Sequence, residues 1–253
     1  MARITVVGPG ALADAAAERL TVLIERAIAA QDRAVVALTG GTTPRAAYEV
    51  LADPSRPWRH RIDWSRVHLF WGDERHVPPD DAESNFGMAH RALLQHVPVP
   101  ADHVHRMRGE LPDPAAAAAE YAGQLPDVFD VMLLGLGEDC HIASIFPGSE
   151  LLASWSGPGR TRAGEADKPR PTAVAAVRSP AGQWRITVTP TAILQSRAIV
   201  MLVAGANKAA AVAGAIEDTV DVTACPAQLL READARLEWM LDTAAARRLQ
   251  RSR

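Results

Sequence analysis

In the run FDVMLLGLGEDCHIASIFPG, Phe129 to Gly148, a histidine stands just past an apolar burst and a glycine-rich turn, with a carboxylate two residues before it. Residues two apart in an extended segment project to one side. Asp139 is therefore placed to orient the imidazole of His141, the arrangement of a general base. A lone histidine can equally be structural; its position beyond an apolar run and a glycine turn argues for chemistry. A covalent route through Cys140 is disfavoured, because adjacent side chains of an extended segment point oppositely.

Three further clusters carry reactive types. In ALTGGTTPRAAYEVL, Ala37 to Leu51, an apolar run ends in Gly40, Gly41, Thr42 and Thr43. Glycines admit close backbone approach, Thr43 is the predicted N-cap, and Pro44 suits the first helical turn. Free amides at such a helix start favour phosphate. The pattern is neither a Walker motif nor GxGxxG. In VHLFWGDERHVPPDDAESNF, Val67 to Phe86, Asp73, Glu74 and Arg75 follow an apolar run. Arg75 could grip an anionic oxygen bidentately, or the group could be a salt-bridged loop; Ser84 and Asn85 are expected to cap a helix. In MLVAGANKAAAV, Met201 to Val212, Lys208 stands in the first turn of a predicted helix, unfavourable for the helix dipole unless it meets an anion. His103 and His105 share one side of a short segment, but two histidines without a third ligand make a weak metal signal. No metal site is expected.

These residues need elements to hold them. Short apolar runs occur at Ile4–Val7, Ala34–Leu38, Val67–Trp71, Val128–Leu134, Ala173–Val177, Arg185–Val188, Ile199–Ala204 and Leu237–Leu241. Runs without strict alternation fit strands buried on both faces. Helical spacing follows Pro9-Gly10 and recurs over Pro44–Leu51, Ser84–Gln95, Pro114–Leu125, Asn207–Ile216 and Thr243–Leu249. The alternation predicts a mostly parallel α/β sheet with helices on both faces, as one domain over residues 1–253. In such sheets ligands bind beyond the carboxyl ends of the strands, where all four clusters fall. The polar stretch Ser156–Pro171 reads as a long loop, a surface excursion or a lid.

A net charge of -3, from 27 basic and 30 acidic residues, gives no field that would draw nucleic acid or anionic membrane. No apolar run approaches the ~18 residues of a membrane span, and MARITVVGPG lacks the apolar core of a signal peptide. A cytoplasmic location is expected. Two cysteines, Cys140 and Cys225, without CxxC spacing argue against a disulfide framework or zinc finger.

Taken in order, LTGGTTP, WGDERHVP with a downstream SN, LLGLGEDCHIASIFPG, and RITVTPTAILQSR followed by VAGANKAAAV resemble the 6-phosphogluconolactonase family. The matching pieces run from about Leu38 to Val212, and their combination is specific where no single piece is. The resemblance implies a Rossmann-like fold shared with glucosamine-6-phosphate deaminases and ribose-5-phosphate isomerases. It implies hydrolysis of 6-phospho-D-glucono-1,5-lactone without cofactor or metal, by a monomer or small homo-oligomer. By the same resemblance, His141 matches the general base, Arg75 the arginine of the acidic-Arg motif, Gly40–Thr43 the phosphate loop, and Lys208 the lysine near the phosphate. The family usually has DGHTAS where this chain has DCHIAS. If that glycine serves a positive φ or a close approach, Cys140 is strained or the loop shifts. HIA also resembles the deaminase branch, yet Phe146 stands where deaminases resemble one another in a glutamate. An isomerase or deaminase of this fold, and a non-catalytic sugar-phosphate sensor, are the alternative readings. Regulators of the sensor kind carry a DNA-binding unit, for which a first strand at Ile4 is expected to leave no room ahead.

Overall fold

The computed structural model describes residues 1–153 and 173–250. The stretch 156–171 lies outside the described residues. Among the described residues nine strands form two sheets. Strands β1 (Arg3–Val7), β2 (Ala34–Leu38), β3 (Val67–Trp71), β5 (Val131–Leu134), β8 (Ala198–Val203) and β9 (Leu237–Asp242) make a six-stranded sheet in the order β1-β9-β8-β5-β2-β3. Every pairing in it is parallel. Strands β4 (Asp73–Arg75), β7 (Trp184–Val188) and β6 (Val174–Arg178) make a three-stranded antiparallel sheet in that order.

The uninterrupted apolar runs become strands buried on both faces, as their composition requires. Val35 and Ala37 of β2 enter one core, with Met132 and Leu134 of β5 and Ile199, Met201 and Val203 of β8. Ala34, Val36 and Leu38 enter the other, with Val131 and Leu133. Helices Leu12–Gln31 and Thr42–Ala52 cover the second core; Pro114–Ala122 and Ala209–Ile216 cover the first. Edge strand β1 leaves Ile4 and Val6 exposed.

Several expectations need correction. The hairpin β6–β7 does not join the parallel sheet. Only Ser179–Gln183 separates its strands, which permits a tight turn at Gly182 and excludes a parallel crossover of a dozen residues. The acidic-Arg run is itself a strand, β4, paired with β7. β5 begins at Val131 instead of Val128, because Asp130 turns its carboxylate onto the Val35 amide at 2.8 Å. The helix after Ser84 ends at Ala92, and the segment over Thr243–Leu249 is only a 3-10 turn, Ala245–Arg248. Cys140 and Cys225 are joined as a disulfide, against the expectation from spacing, with Cα atoms 4.9 Å apart at a sequence separation of 85. The amide of Ala227 also donates to the carbonyl of Cys140 at 3.1 Å, so the two loops abut independently of the sulfurs.

The chain has two tyrosines, and both clamp a strand end. The hydroxyl of Tyr48 accepts from Thr39 N at 3.0 Å and donates to Thr39 O at 2.9 Å, just past β2. That of Tyr121 accepts from Trp71 N at 2.8 Å and donates to Trp71 O at 3.0 Å, at the end of β3. Burial raises the pKa of both phenols and keeps them protonated, so each hydroxyl retains the proton it donates.

Tyr48→Phe strands a buried donor and acceptor at Thr39, and it should destabilise by about 1–3 kcal/mol in denaturant titration. Cys225→Ser should lower the melting temperature of the oxidised protein by roughly 5–15 °C. In dithiothreitol the variant and the wild type should melt together; equal melting without reductant would mean that the disulfide contributes nothing.

Candidate active site

The chain leaves β2 for β3 on one side and later returns to β5 on the other side of β2, so the strand order reverses between β2 and β5. A crevice opens at the carboxyl ends there, the general ligand position of such sheets. A cleft of about 140 Å³ lies in it, lined by Gly40, Gly41, Thr42, Thr43, Gly135, Leu136, Ala204 and Lys208 among others. Of the six residues put forward for substrate or phosphate, Gly40, Gly41, Thr42, Thr43 and Lys208 converge, from the loops after β2 and β8 with the turn after β5 between them, and Arg75 does not.

The loop after β2 leaves backbone donors free at a helix start. Gly41 has φ 107, a conformation that opposes a side chain, and it is the N-cap; Thr43 is not. Helix Thr42–Ala52 then starts two residues earlier than Thr43 capping would allow. Its first internal bond runs from Arg45 N to Gly41 O at 3.1 Å, and no side chain caps it. The amides of Thr42 and Thr43 thus remain orphan donors at the positive end of the helix dipole. Across the cleft, Gly205 has φ 100, and Asp242 accepts its amide at 3.1 Å, which aims the turn carrying Lys208. Lys208 makes no ion pair among the described residues. The side chain of Asn207 donates to Glu138 Oε1 at 2.7 Å, tying this turn to the one before His141.

The His141 segment is not extended. Cys140 N donates to Gly137 O at 3.1 Å and Gly137 N to His141 O at 2.9 Å, closing a tight turn. Cys140 has φ 72 and Ala143 φ 48, so both neighbours of the His141–Ile142 pair sit in the left-handed region. Cys140 therefore occupies the glycine-like conformation anticipated for its place. The turn, instead of alternation along a strand, brings Asp139 Oδ1 within 2.5 Å of His141 Nδ1. Burial of Asp139 opposes ionisation, but the charge of His141 and its hydrogen bonds outweigh it and hold the carboxyl below its usual value. An ionised carboxylate only accepts, so Nδ1 carries the proton, and in the neutral ring Nε2 presents the lone pair. Gly137 is required here, since a Cβ would coincide with the imidazole of His141 and the carboxylate of Asp139. The ring of Phe146 lies 4.7 Å from that of His141, so no carboxylate faces the imidazole from that position.

Arg75 is not among the residues lining the cleft. It extends from β4, and its Nη1 donates to Glu83 O at 2.5 Å. Asp73, two residues before it, accepts the hydroxyl of Ser144 at 2.7 Å and the amide of Asn85 at 3.2 Å. Glu74 accepts from the amides of Arg75, Asn85 and Phe86, each at 2.7 Å. Burial raises the pKa of Glu74 while these backbone bonds oppose the rise. Of the two expected caps, Ser84 does accept from Gly87 N at 2.9 Å; Asn85 instead turns to Asp73. The Asn85 amide also occupies the space that a side chain at Gly40 would need.

The contacts of Ser144 and Asn207 escaped sequence reasoning, and Asn85 was read only as a helix cap. Each acts through a partner 12 to 71 residues away, and no local spacing records such a contact. His103 and His105 join His68 in a stack of rings, His68 to His103 at 3.8 Å between centroids. Among the described residues no group of three or more His, Cys, Asp or Glu could hold a metal ion, and no helix is long and apolar enough to cross a membrane.

The chain is 39% identical over 254 residues to a 6-phosphogluconolactonase of Mycobacterium tuberculosis, covering 94% of each. It superposes with a TM-score of 0.79 on the 6-phosphogluconolactonase of Trypanosoma brucei, at 30% identity, over 98% of this chain and 99% of that one. A monomeric glucosamine-6-phosphate deaminase, at 21% identity, shares the fold with a TM-score of 0.78. Residues 8–239 match the model of one family, and this chain belongs to it: the glucosamine-6-phosphate isomerases and 6-phosphogluconolactonases.

Proposed function

We propose that this protein hydrolyses 6-phospho-D-glucono-1,5-lactone to 6-phospho-D-gluconate, the second step of the oxidative pentose phosphate pathway, the whole chain acting as one α/β domain. The reading draws on relatives of that activity over almost the whole length. The observation that carries it is the imidazole held at 2.5 Å by Asp139 beside an anion-ready cleft. Phe146 beside that imidazole disfavours a deaminase, which resembles its relatives in needing a glutamate there.

In this reading the 6-phosphate lies on the Thr42 and Thr43 amides and Lys208. Binding energy at that remote group holds the lactone carbonyl near His141. Nε2 of His141 takes a proton from water as the oxygen attacks C1. The tetrahedral intermediate then collapses, the bond from C1 to the ring oxygen breaks, and His141 returns the proton to that oxygen. Asp139 fixes the tautomer throughout and stabilises the imidazolium. Arg75, on the face of β4 that meets Ser144, is assigned to the developing oxyanion.

The enzyme would act in the cytoplasm as a monomer or small homo-oligomer, on a small sugar phosphate and without nucleic acid or membrane. Thiol buffers there favour reduced cysteines, so activity is best compared with the Cys140–Cys225 pair both oxidised and reduced.

His141→Ala should cut kcat by about 10²–10⁴-fold, measured on freshly generated lactone above its spontaneous hydrolysis, with the fold intact by circular dichroism. Near-normal turnover would remove His141 from the mechanism. Lys208→Ala should chiefly raise KM and weaken inhibition by inorganic phosphate; an unchanged KM would reject its contact with the phosphate.

A further inference from the structure

Strand pairing sets Arg185 of β7 directly opposite Arg75 of β4, and Thr187 opposite Asp73. The four side chains share one face of the small sheet, because alternate residues of a strand point the same way. The inner half of that face meets the histidine loop: Asp73 accepts the Ser144 hydroxyl at 2.7 Å, and Thr187 Oγ1 accepts the Ser144 amide at 3.2 Å. The outer half, one two-residue step of about 6.7 Å further on, is the arginine pair.

Like charges opposite each other on a sheet destabilise it unless something intervenes. Among the described residues no carboxylate hydrogen-bonds to either guanidinium. Neither arginine forms an ion pair among the described residues. Both oxygens of Asp73 are taken by Ser144 and Asn85, and those of Glu74 by Ser84 and by backbone amides. Arg185 Nη2 reaches only the amide oxygen of Gln183, at 2.9 Å, and its Nε is buried with no partner at all. Burial, and after it the charge of Arg75, lower the pKa of Arg185; the charges of Asp73, Glu83 and Glu74 act the other way without overcoming them. Neither arginine lines the cleft of Gly40–Thr43 and Lys208, which already supplies amides and a cation for a phosphate.

We propose that Arg185, with Arg75, forms a two-guanidinium clamp for the acyl end of the substrate, taking the oxyanion of the tetrahedral intermediate and the carboxylate of the product. The assignment rests on the lactonase reading for the substrate's identity, but its ligand chemistry is independent: a carboxyl group on a polyol phosphate. A planar carboxylate matches the fork of a guanidinium, and the unused Nε of Arg185 is one of the donors it would meet.

The test is calorimetric binding of two probes, 6-phosphogluconate and glucitol 6-phosphate, which differ in having a carboxylate or a hydroxymethyl group at C1. Wild type should prefer 6-phosphogluconate by at least about tenfold, as an arginine–carboxylate contact predicts. Arg185→Met should abolish most of that preference while leaving the affinity for glucitol 6-phosphate unchanged. Equal weakening of both probes, or no change in either, or no preference in the wild type, would overturn the assignment. Should Arg185→Met melt below the assay temperature, Arg185→Lys is read by the same criterion, since it retains the charge and stem and loses only the fork. Lactone turnover by wild type is measured alongside. Its absence would sink the lactonase reading and leave the probe preference to decide on Arg185.

Discussion

A buried carboxylate must be given partners, and in this fold Asp73 is the one on which the site depends. It sits where the chain passes from the last strand of the parallel sheet to the first of the small sheet, too deep for water to satisfy it. Its two oxygens draw in Ser144 from the histidine loop and Asn85 from the start of the following helix. Asn85 in turn packs on Gly40, the first glycine of the loop after β2. One side chain thereby ties three loops to one another. Removing its side chain would leave the Ser144 hydroxyl buried without its acceptor, a cost of roughly 1–3 kcal/mol, while the Asn85 amide would keep the Asp73 carbonyl. Glu74 beside it does the same for the backbone, accepting the amides at the start of helix Asn85–Ala92, where the helix dipole also favours its charge.

The parallel sheet contributes stiffness at the points where loops depart. A strand end leaves amides and carbonyls that must still be satisfied. Tyr48 and Tyr121 meet this need with a hydroxyl that both donates and accepts, one at the exit from β2 and one at the end of β3. The loop after β2 and the acidic strand therefore begin from fixed points. Close approach completes the arrangement: Gly137 lies beneath His141 with no room for a side chain, so the imidazole rests on backbone.

What could be read from the sequence was whatever the chain encodes locally. Apolar runs over Ala34–Leu38 and Val67–Trp71 gave the strands to the residue, since burial on both faces leaves little choice of boundary. Glycine pairs, Lys208 and the Asp139–His141 spacing marked the site because each acts within its own loop. The small sheet was not legible as such. β4 is three residues of Asp, Glu and Arg, a composition with no strand propensity, and it exists because β7 offers it an edge. Arg185 looked like one end of an apolar run; its importance appears only once Arg75 is set across from it. The disulfide was invisible for a similar reason, because its halves stand at a sequence separation of 85. Even the correct pairing of Asp139 with His141 was reached through the wrong geometry, a turn in place of an extended segment.

That turn bears on how the base is held. A residue with a side chain in the left-handed region costs about 1–3 kcal/mol unless its surroundings impose it. Cys140 and Ala143 are both there, on either side of His141 and Ile142. A glycine in place of Cys140, as the family resemblance suggests is usual, would adopt the same φ without strain but would also be free to leave it. Cysteine cannot leave easily. Its carbonyl is held by the Ala227 amide, its sulfur by Cys225, and its side chain is buried in the core with Ile142 and Ile145. The energy of the cross-link, typically about 2–4 kcal/mol, is of the size needed to offset the strain. The chain thus replaces a conformationally permissive residue by an anchored one, and the imidazole inherits the rigidity of its neighbour.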